Sequence, residues 1–278
     1  MDSFDTVVLS SGGSKGYAQL GALNRYALGN TLANANEWVG VSIGSIISLL
    51  MVCGYNAMDI YSLDMRVFKE WLFSVKISDV QMTHGLLKVS VIRDFLAGLL
   101  LPKLPSGTTH NITFKELNKI TNKTLIVVSC ELHDVASNVC IHDHVHTPDE
   151  PVIDAVIASC SIPFLSERFE IGGVTHVDGG FGYPFPIDTV DDGKKRVLGI
   201  YTESINDIST SVGYISATID IFKHVEFKRQ CKIASDKVTI IQIQCDDINL
   251  LDEYNYIKAK SELFIKGWDC AHKYISST

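Results

Sequence analysis

Three short stretches of this 278-residue chain carry residue types that together could run nucleophilic chemistry. The first is Gly40-Val41-Ser42-Ile43-Gly44, set between a short apolar stretch, Glu37 to Val41, and a second apolar run, Ile43 to Cys53, closed by Gly54. Read as strand, tight turn and helix, this G-x-S-x-G is a nucleophile elbow. The turn holds Ser42 in a strained backbone conformation, while Gly40 and Gly44 let strand and helix approach closely. The hydroxyl then projects at the carboxyl end of a sheet, beside the positive end of the following helix. The second stretch is Ser11-Gly12-Gly13-Ser14-Lys15-Gly16, which joins a strand, Thr6 to Ser10, to a helical pattern from Tyr17 to Leu28. A glycine-rich loop in that position aims backbone N–H groups at an anion. The third is Asp178-Gly179-Gly180, where a carboxylate at a strand end could take a proton.

Each stretch also has a plain reading, a Gly/Ser turn or a D-G turn, and it is the three in order that point to chemistry. At the glycine loop three anions compete. A nucleotide phosphate would want G-x-x-x-x-G-K-[ST] or G-x-G-x-x-G, and neither is present. A phosphate on a bound ligand stays open, with Lys15 as a head-group contact or simply a solvated first-turn lysine. An oxyanion formed in acyl transfer fits best, because the next strand delivers Ser42. Ester hydrolysis needs a nucleophile, a proton acceptor and a place for negative charge, and Ser42, Asp178 and the loop supply one each.

The elements that must position these residues are legible as an α/β pattern. Near-continuous apolar strands are predicted at Thr6–Ser10, Glu37–Val41, Leu125–Cys130, Arg196–Tyr201 and Lys237–Ile243. Helices are predicted at Tyr17–Leu28, Ile43–Cys53, Ala57–Phe73 after an Asn56 cap, Val212–Ala234 and Ser261–Ile275. Thr113-Phe114-Lys115-Glu116 has capping-box spacing, and Thr147-Pro148-Asp149-Glu150 reads as the cap of a helix over Val152–Ser159. Phe169–Ile171 and Val174–Val177 flank Gly172-Gly173 as a hairpin, and Asp134–Asn138 turns into a strand over Val139–His142. Strands alternating with helices predict an α/β sheet covered on both faces. Without a linker, repeat or low-complexity tract, residues 1–278 read as one domain.

Composition excludes several classes. A net charge of −8, from 24 basic and 32 acidic residues, opposes nucleic acid as a partner and gives no standing attraction to anionic membranes. Met1 to Asp5 has neither the basic region nor the apolar core of a signal peptide, so the chain reads as cytoplasmic and its seven scattered cysteines as reduced. The apolar run Val39–Cys53 is shorter than the roughly 20 residues a membrane span needs. His142, His144 and His146 stand two apart, so a strand would put all three on one face, but no acidic or cysteine partner follows at metal-ligand spacing. We expect no metal there.

The three stretches, with Ala158-Ser159-Cys160-Ser161-Ile162-Pro163 and Thr147-Pro148-Asp149, resemble in this order the patatin-like phospholipases, from Val7 to about Pro186. One departure is Ser11, where the family often has a first glycine. The resemblance implies a three-layer α/β/α sandwich with a mostly parallel central sheet, and lipid acyl hydrolase activity by a dyad that needs no cofactor. Carried onto this chain, Ser42 is the nucleophile and Asp178 the base. The N–H groups of Gly12, Gly13 and Ser14 form the oxyanion hole, and Gly16, Gly40, Gly44, Gly179 and Gly180 shape the turns. The implied partner is a lipid substrate met at a membrane or lipid-aggregate surface. Two alternatives stand beside it: an α/β-hydrolase triad with His224 or His272 as base, and a binding protein that kept the fold without the chemistry. The Leu-rich segment Gly85–Leu101, with Ser90 as cap and Asp94 as first-turn residue, reads as a core helix or as a lid over the dyad.

Overall fold

Successive residues of a strand face opposite sides of a sheet, and the apolar strands of this chain divide their side chains between two cores in that way. The computed structural model describes residues 3–63, 85–133, 138–205, 208–209, 211–245 and 253–277. The main sheet contains β1 (Thr6–Leu9), β2 (Glu37–Val41), β4 (Thr124–Leu132), β9 (Val197–Ser204) and β10 (Val238–Cys245), joined in the order β10-β9-β1-β2-β4 and all parallel. The sheet continues from β4 through two antiparallel strands, β8 (Val174–Asp178) and β7 (Phe169–Ile171), and β5 (Asn138–His142) also pairs antiparallel with β4. A separate two-stranded piece joins β3 (Gly85–Leu87) to β6 (Phe164–Ser166).

On one face Val7, Leu9, Trp38, Leu125, Val127, Leu198 and Ile200 enter the larger core. There they meet α1 (Gly16–Leu28), α2 (Ile43–Val52), α6 (Val152–Ser159) and α8 (Glu253–Ser277). On the other face Val8, Val39, Ile126, Val197 and Tyr201 meet Phe185, Ile187, Val190 and Phe227, the last from α7 (Ser211–Ile233). The result is the expected mixed α/β architecture with a mostly parallel central sheet between two outer layers. Among the described residues, no helix is long and apolar enough to cross a membrane.

Several local expectations hold. Asn56 caps α3 (Ala57–Tyr61) through a reciprocal box with Asp59, and Thr113 caps α5 (Phe114–Thr121) through Glu116. The Gly172-Gly173 turn takes positive φ at both positions, +58° and +82°, as a tight hairpin requires. The predicted Ala57–Phe73 helix stops at Tyr61 with Ser62 at its C-cap, and residues 64–73 and most of the Asp134–Asn138 turn lie outside the described residues.

Three expectations are corrected. The segment Gly85–Leu101 is not one helix: Gly85–Leu87 pairs with β6, and α4 spans Val89–Leu100. Ser90 does not cap it; the Val89 N–H donates instead to Glu167 Oε2 at 3.0 Å. Ile92, Leu96 and Leu100, spaced i, i+4, i+8, are buried in the larger core, and Arg93 is ion-paired with Asp154 of α6, so α4 is a core helix. The Thr147–Glu150 turn does not cap α6, whose cap position is Pro151. Its carbonyls serve α5 instead, Glu150 O accepting from the Phe114 N–H and Pro148 O from the Lys115 N–H. Finally, α8 begins at Glu253 rather than Ser261, drawn back by Tyr256, which is buried with its hydroxyl 2.6 Å from that of Tyr17.

Helices α1 and α8 cross backbone to backbone. A Cβ at Gly21 would lie 1.9 Å from the Phe264 carbonyl oxygen, and one at Gly267 would lie 1.8 Å from that of Ala18. Neither collision is with a flexible side chain, so the helices themselves would have to separate. Gly267→Ala should therefore lower stability by about 1–3 kcal/mol, read as a shift of the urea midpoint at unchanged slope. Gly98→Ala, in the middle of α4 with nothing within 4 Å of its Cβ, is the contrast. It should be neutral or stabilising by up to about 1 kcal/mol.

Candidate active site

Ser42 sits between β2 and α2 with φ +56° and ψ −125°. The other non-glycine residues with positive φ among those described are Asn30 and Asn122, a residue type that tolerates the left-handed region. Ser42 therefore holds a strained backbone conformation that its neighbours must enforce. Gly40 and Gly44 allow the enforcement: a Cβ on Gly40 would lie 2.3 Å from Gly44 O, and one on Gly44 2.5 Å from Leu9 O. The Ser42 N–H donates to Ser159 Oγ at 2.8 Å, and the Ser159 hydroxyl donates onward to Val128 O at 2.7 Å. The Ser45 hydroxyl holds Ser42 O at 2.6 Å. Ser159 is thus a supporting residue of the elbow, a role that sequence reasoning missed although the residue stands in the quoted A-S-x-x-x-P block.

Asp178 ends β8, opposite Ser129 of β4. Its carboxylate is fixed at both oxygens, Oδ1 accepting from the Gly180 N–H at 2.7 Å and Oδ2 from the Ser42 hydroxyl at 2.5 Å. Its own N–H donates to Ser161 O at 2.8 Å. The chain then turns at Gly179, where a Cβ would lie 2.2 Å from Val128 O. Ser42 is 6 % exposed and Asp178 4 %, so the pair is nearly dry. Burial pushes the Asp178 carboxyl up from its ordinary 3.8 to about 6, against the opposing pull of hydrogen bonds from Ser42 and Gly180 and of the Lys223 charge. Cys160, with Sγ 3.8 Å from Ser45 Oγ, is pushed well above the ordinary thiol range by burial and by the Asp178 charge, and stays a neutral thiol.

The glycine loop meets the same point. Gln19 Nε2 donates to Ser10 O at 2.7 Å, the Thr202 N–H to Ser10 Oγ at 3.1 Å and the Ser11 N–H to Pro184 O at 3.0 Å, which fixes where β1 ends. A single 3₁₀ turn, Gly13–Lys15, then leads into α1 at Gly16, where a Cβ would lie 2.5 Å from Ile43 Cγ1 of the elbow helix. On the other side a Cβ at Gly180 would lie 2.9 Å from Ser11 Cβ. Loop, elbow and aspartate turn therefore pack on one another. Lys15 is not a solvated first-turn lysine: it is 6 % exposed and lines a cavity of about 320 Å³ that runs from Gly12 to α7.

The histidines of the sequence reading lie elsewhere. β5 ends at His142, and Asp143 opens a turn by accepting the N–H groups of Val145 and His146 at 2.6 and 2.7 Å, so His142, His144 and His146 do not share a strand face. His142 Nε2 and His176 Nδ1 each lie 2.8 Å from the Ser129 hydroxyl, and His142 Nδ1 lies 2.8 Å from Glu150 Oε1, a buried polar chain that spacing did not foretell. Of the two proposed triad bases, His224 has Nδ1 3.0 Å from Glu203 Oε1, while His272 accepts from Arg25 Nε at 3.2 Å and stacks on Trp268.

Comparison with known proteins agrees with the geometry. The family model for patatin-like phospholipase matches residues 7–191. A probable lipid hydrolase of Invertebrate iridescent virus 6 is 29% identical over 191 residues, which is 66% of this chain and 62% of that protein. An uncharacterised protein of Acanthamoeba polyphaga mimivirus is 27% identical over 212 residues, 72% of this chain and 66% of that one. This chain thus spans a little under two-thirds of the length of either relative. Among solved structures, VipD from Legionella pneumophila superposes with a TM-score of 0.59 at 16% identity, over 99% of this chain and 67% of that one. ExoU in its heterodimeric complex with SpcU from Pseudomonas aeruginosa gives 0.57 at 18%, over 99% of this chain and 52% of that one. At these identities the two structures speak for the fold. With the family match covering well over half of its length, this chain belongs to the patatin-like phospholipase family.

Proposed function

We propose that the chain is a lipid acyl hydrolase that cleaves carboxylic esters of phospholipids through an acyl-enzyme on Ser42. The observation that carries this reading is the direct hydrogen bond from the Ser42 hydroxyl to a buried Asp178 carboxylate in a strained elbow. Asp178 Oδ2 takes the hydroxyl proton as Ser42 Oγ bonds to the ester carbonyl carbon. The carbonyl oxygen becomes an oxyanion facing the N–H groups of Gly12, Gly13 and Ser14, and Asp178 returns the proton to the departing alcohol as the C–O bond breaks. Water, deprotonated by the same carboxylate, then releases the fatty acid and restores Ser42. The family match and the lipid hydrolase among the relatives support the lipid as substrate. Engagement of His224 by Glu203, and of His272 by Arg25 and Trp268, favours the dyad over a triad.

Ser42→Ala should remove turnover of a short-chain p-nitrophenyl ester by at least about 10³-fold and abolish fluorophosphonate labelling, with the melting temperature kept. Labelling at another residue, or near-full turnover, would end the enzyme reading. Asp178→Asn should be nearly as damaging, and His224→Ala and His272→Ala mild.

Two pH effects follow from the raised Asp178 pKa. Activity requires the ionised carboxylate, so kcat/KM should rise with pH through a midpoint near 6. For stability the sign is opposite. A native pKa above the unfolded one means the native state holds the proton more tightly, so this contribution is present below about pH 4 and is lost as pH rises through 6. Asp178→Asn removes the loss and should be more stable than the wild type at neutral pH, by up to about 3 kcal/mol. Denaturant titrations of both proteins at pH 4 and pH 7 measure the gap; equal stabilities at both would refute it.

Ser159→Ala leaves the buried Ser42 N–H without its acceptor. It should cost about 1–3 kcal/mol of stability and lower kcat at nearly constant KM, the pattern of a misplaced nucleophile rather than of weakened binding.

A further inference from the structure

Among its described residues, helix α7 exposes large apolar side chains between Tyr214 and Val225. Tyr214, Ile221, Phe222 and Val225 fall within one stripe about 100° wide at 3.6 residues per turn and are between 59 and 69 % exposed. Asp220 and Lys223 of the same turns point inward. Asp220 and Lys223 are paired at 3.2 Å with side chains only 22 and 27 % exposed, His224 faces Glu203, and all four line the cavity above Gly12 and Lys15. A helix facing water is arranged the other way round. The second half is ordinary on its inner side, with Phe227 and Gln230 buried, while the outer stripe continues as Lys228 and Lys232, and as Arg229, which is tied to Glu226 and Asp188.

The stripe therefore changes along its length from apolar to basic. α7 follows β9 and leads back to β10, so its apolar half lies at the carboxyl end of the sheet, where Ser42 sits, and its basic half lies further down. Two other segments bring exposed apolar side chains to the same end: Ile205 and Ile208 between β9 and α7, and Phe181 in the turn just past Asp178. Ile221 and Val225 belong both to the stripe and to the cavity lining, so the patch is continuous with the cavity that reaches the glycine loop. An apolar patch of this extent, rimmed by charge, marks an interaction surface.

We propose that this face docks on a phospholipid surface, with Tyr214, Ile221, Phe222, Val225, Ile205, Ile208 and Phe181 below the head groups and Lys228 and Lys232 level with their phosphates. The inference rests on the lipid hydrolase reading and adds the face by which that site meets its substrate. The graded stripe selects a lipid surface over a protein partner: a bilayer is apolar beneath and anionic at the level of the phosphates, in the same order as the helix. Inward pairing of Asp220 with Lys223 also means that the docked half does not carry these two charges unpaired.

The test is co-sedimentation of the Ser42→Ala protein with phosphatidylcholine vesicles, with and without phosphatidylserine, so that binding is read without turnover. Phe222→Asp should lower the partition coefficient about ten- to a hundredfold on both vesicle types. Lys228→Gln with Lys232→Gln should remove only the increment due to phosphatidylserine. Leu28→Asp, an exposed apolar site at the far end of α1, should leave binding as it was. Ile208→Asp replaces Phe222→Asp should the latter fail to fold. In the otherwise wild-type enzyme, Phe222→Asp should reduce turnover of vesicles at least tenfold more than turnover of a monomeric ester.

Vesicle binding that survives both Phe222→Asp and Ile208→Asp overturns the inference, as does a folded protein that binds no vesicle. So does a wild-type dimer that Phe222→Asp dissociates without any lipid binding, since the patch would then be covered by a second copy of the chain. Ester hydrolysis without vesicle binding sinks this inference and spares the hydrolase reading. Phe222-dependent binding without any hydrolysis does the reverse.

Discussion

The hydrogen bond between Ser42 Oγ and Asp178 Oδ2, 2.5 Å long in a nearly dry site, sets demands that reach across most of the chain. A buried carboxylate is tolerated only when both oxygens are satisfied, and here one is held by Gly180 and the other by Ser42. The serine must in turn be held against its own backbone preference. Both obligations converge on one carbonyl. Val128 O accepts from Ser159, which carries the Ser42 N–H, and it is also the atom against which Gly179 closes. Val128 pairs with Val41 in the register of β2, and the next residue, Ser129, pairs with Asp178. β4 is thus the ruler between the two reacting groups. Parallel pairing on one side and antiparallel pairing on the other bring the end of β2 and the end of β8 to one level of the sheet.

Burial does two things at once for Asp178. A carboxyl at its ordinary pKa is a poor acceptor for a serine proton, and alignment alone would have to compensate. Desolvation raises it to about 6, so the aligned group is also a better base near neutral pH. The same desolvation makes the ionised native state less favourable. Catalytic competence and local stability are therefore set against each other at one residue, as is usual for functional sites. Cys160, in contact with Ser45, stays a neutral thiol and adds no competing charge.

Much of this was legible in the sequence, and the residues show why the rest was not. Glycines at Gly40, Gly44 and Gly179 mark close backbone approaches in segments where neighbouring residues already announce a strand or a turn. Thr113 with Glu116, and Ile92 with Leu96 and Leu100, carry their signal within one or two turns of helix. The misreadings involve partners distant in sequence or a choice between local partners. Thr147 to Glu150 has cap-like chemistry, yet its carbonyls go to the start of α5, some thirty residues back in the chain, rather than to the helix that follows. His142, His144 and His146 keep an alternating spacing, but the Asp143 carboxylate captures two backbone N–H groups and bends the chain out of the strand. Gly21 and Gly267 meet across the α1–α8 crossing with no local sign in either helix. Ser159 stood in a quoted motif, but its partner, the N–H of Ser42, is 117 residues away.

Helix α7 shows a further limit of pattern reading, and its resolution links the site to its surroundings. Apolar and charged residues both recur at helical spacing between Tyr214 and Arg229, so periodicity identifies the helix without saying which side faces in. What decides the facing is the cavity. Lys15 is drawn under the glycine loop, and Asp220, Lys223, Glu203 and His224 line the space beside it, with Asp220 paired to Lys223 and Glu203 in contact with His224. With Asp220 and Lys223 committed inward, Tyr214, Ile221, Phe222 and Val225 are left largely exposed, while Phe227 further along the helix is buried. The polar interior and the apolar exterior are thus two sides of one arrangement. Because the chain as a whole carries a charge of −8, long-range attraction to an anionic surface is absent. Docking must then draw mainly on apolar contact, with Lys228 and Lys232 acting only within a Debye length, about 8 Å at physiological ionic strength.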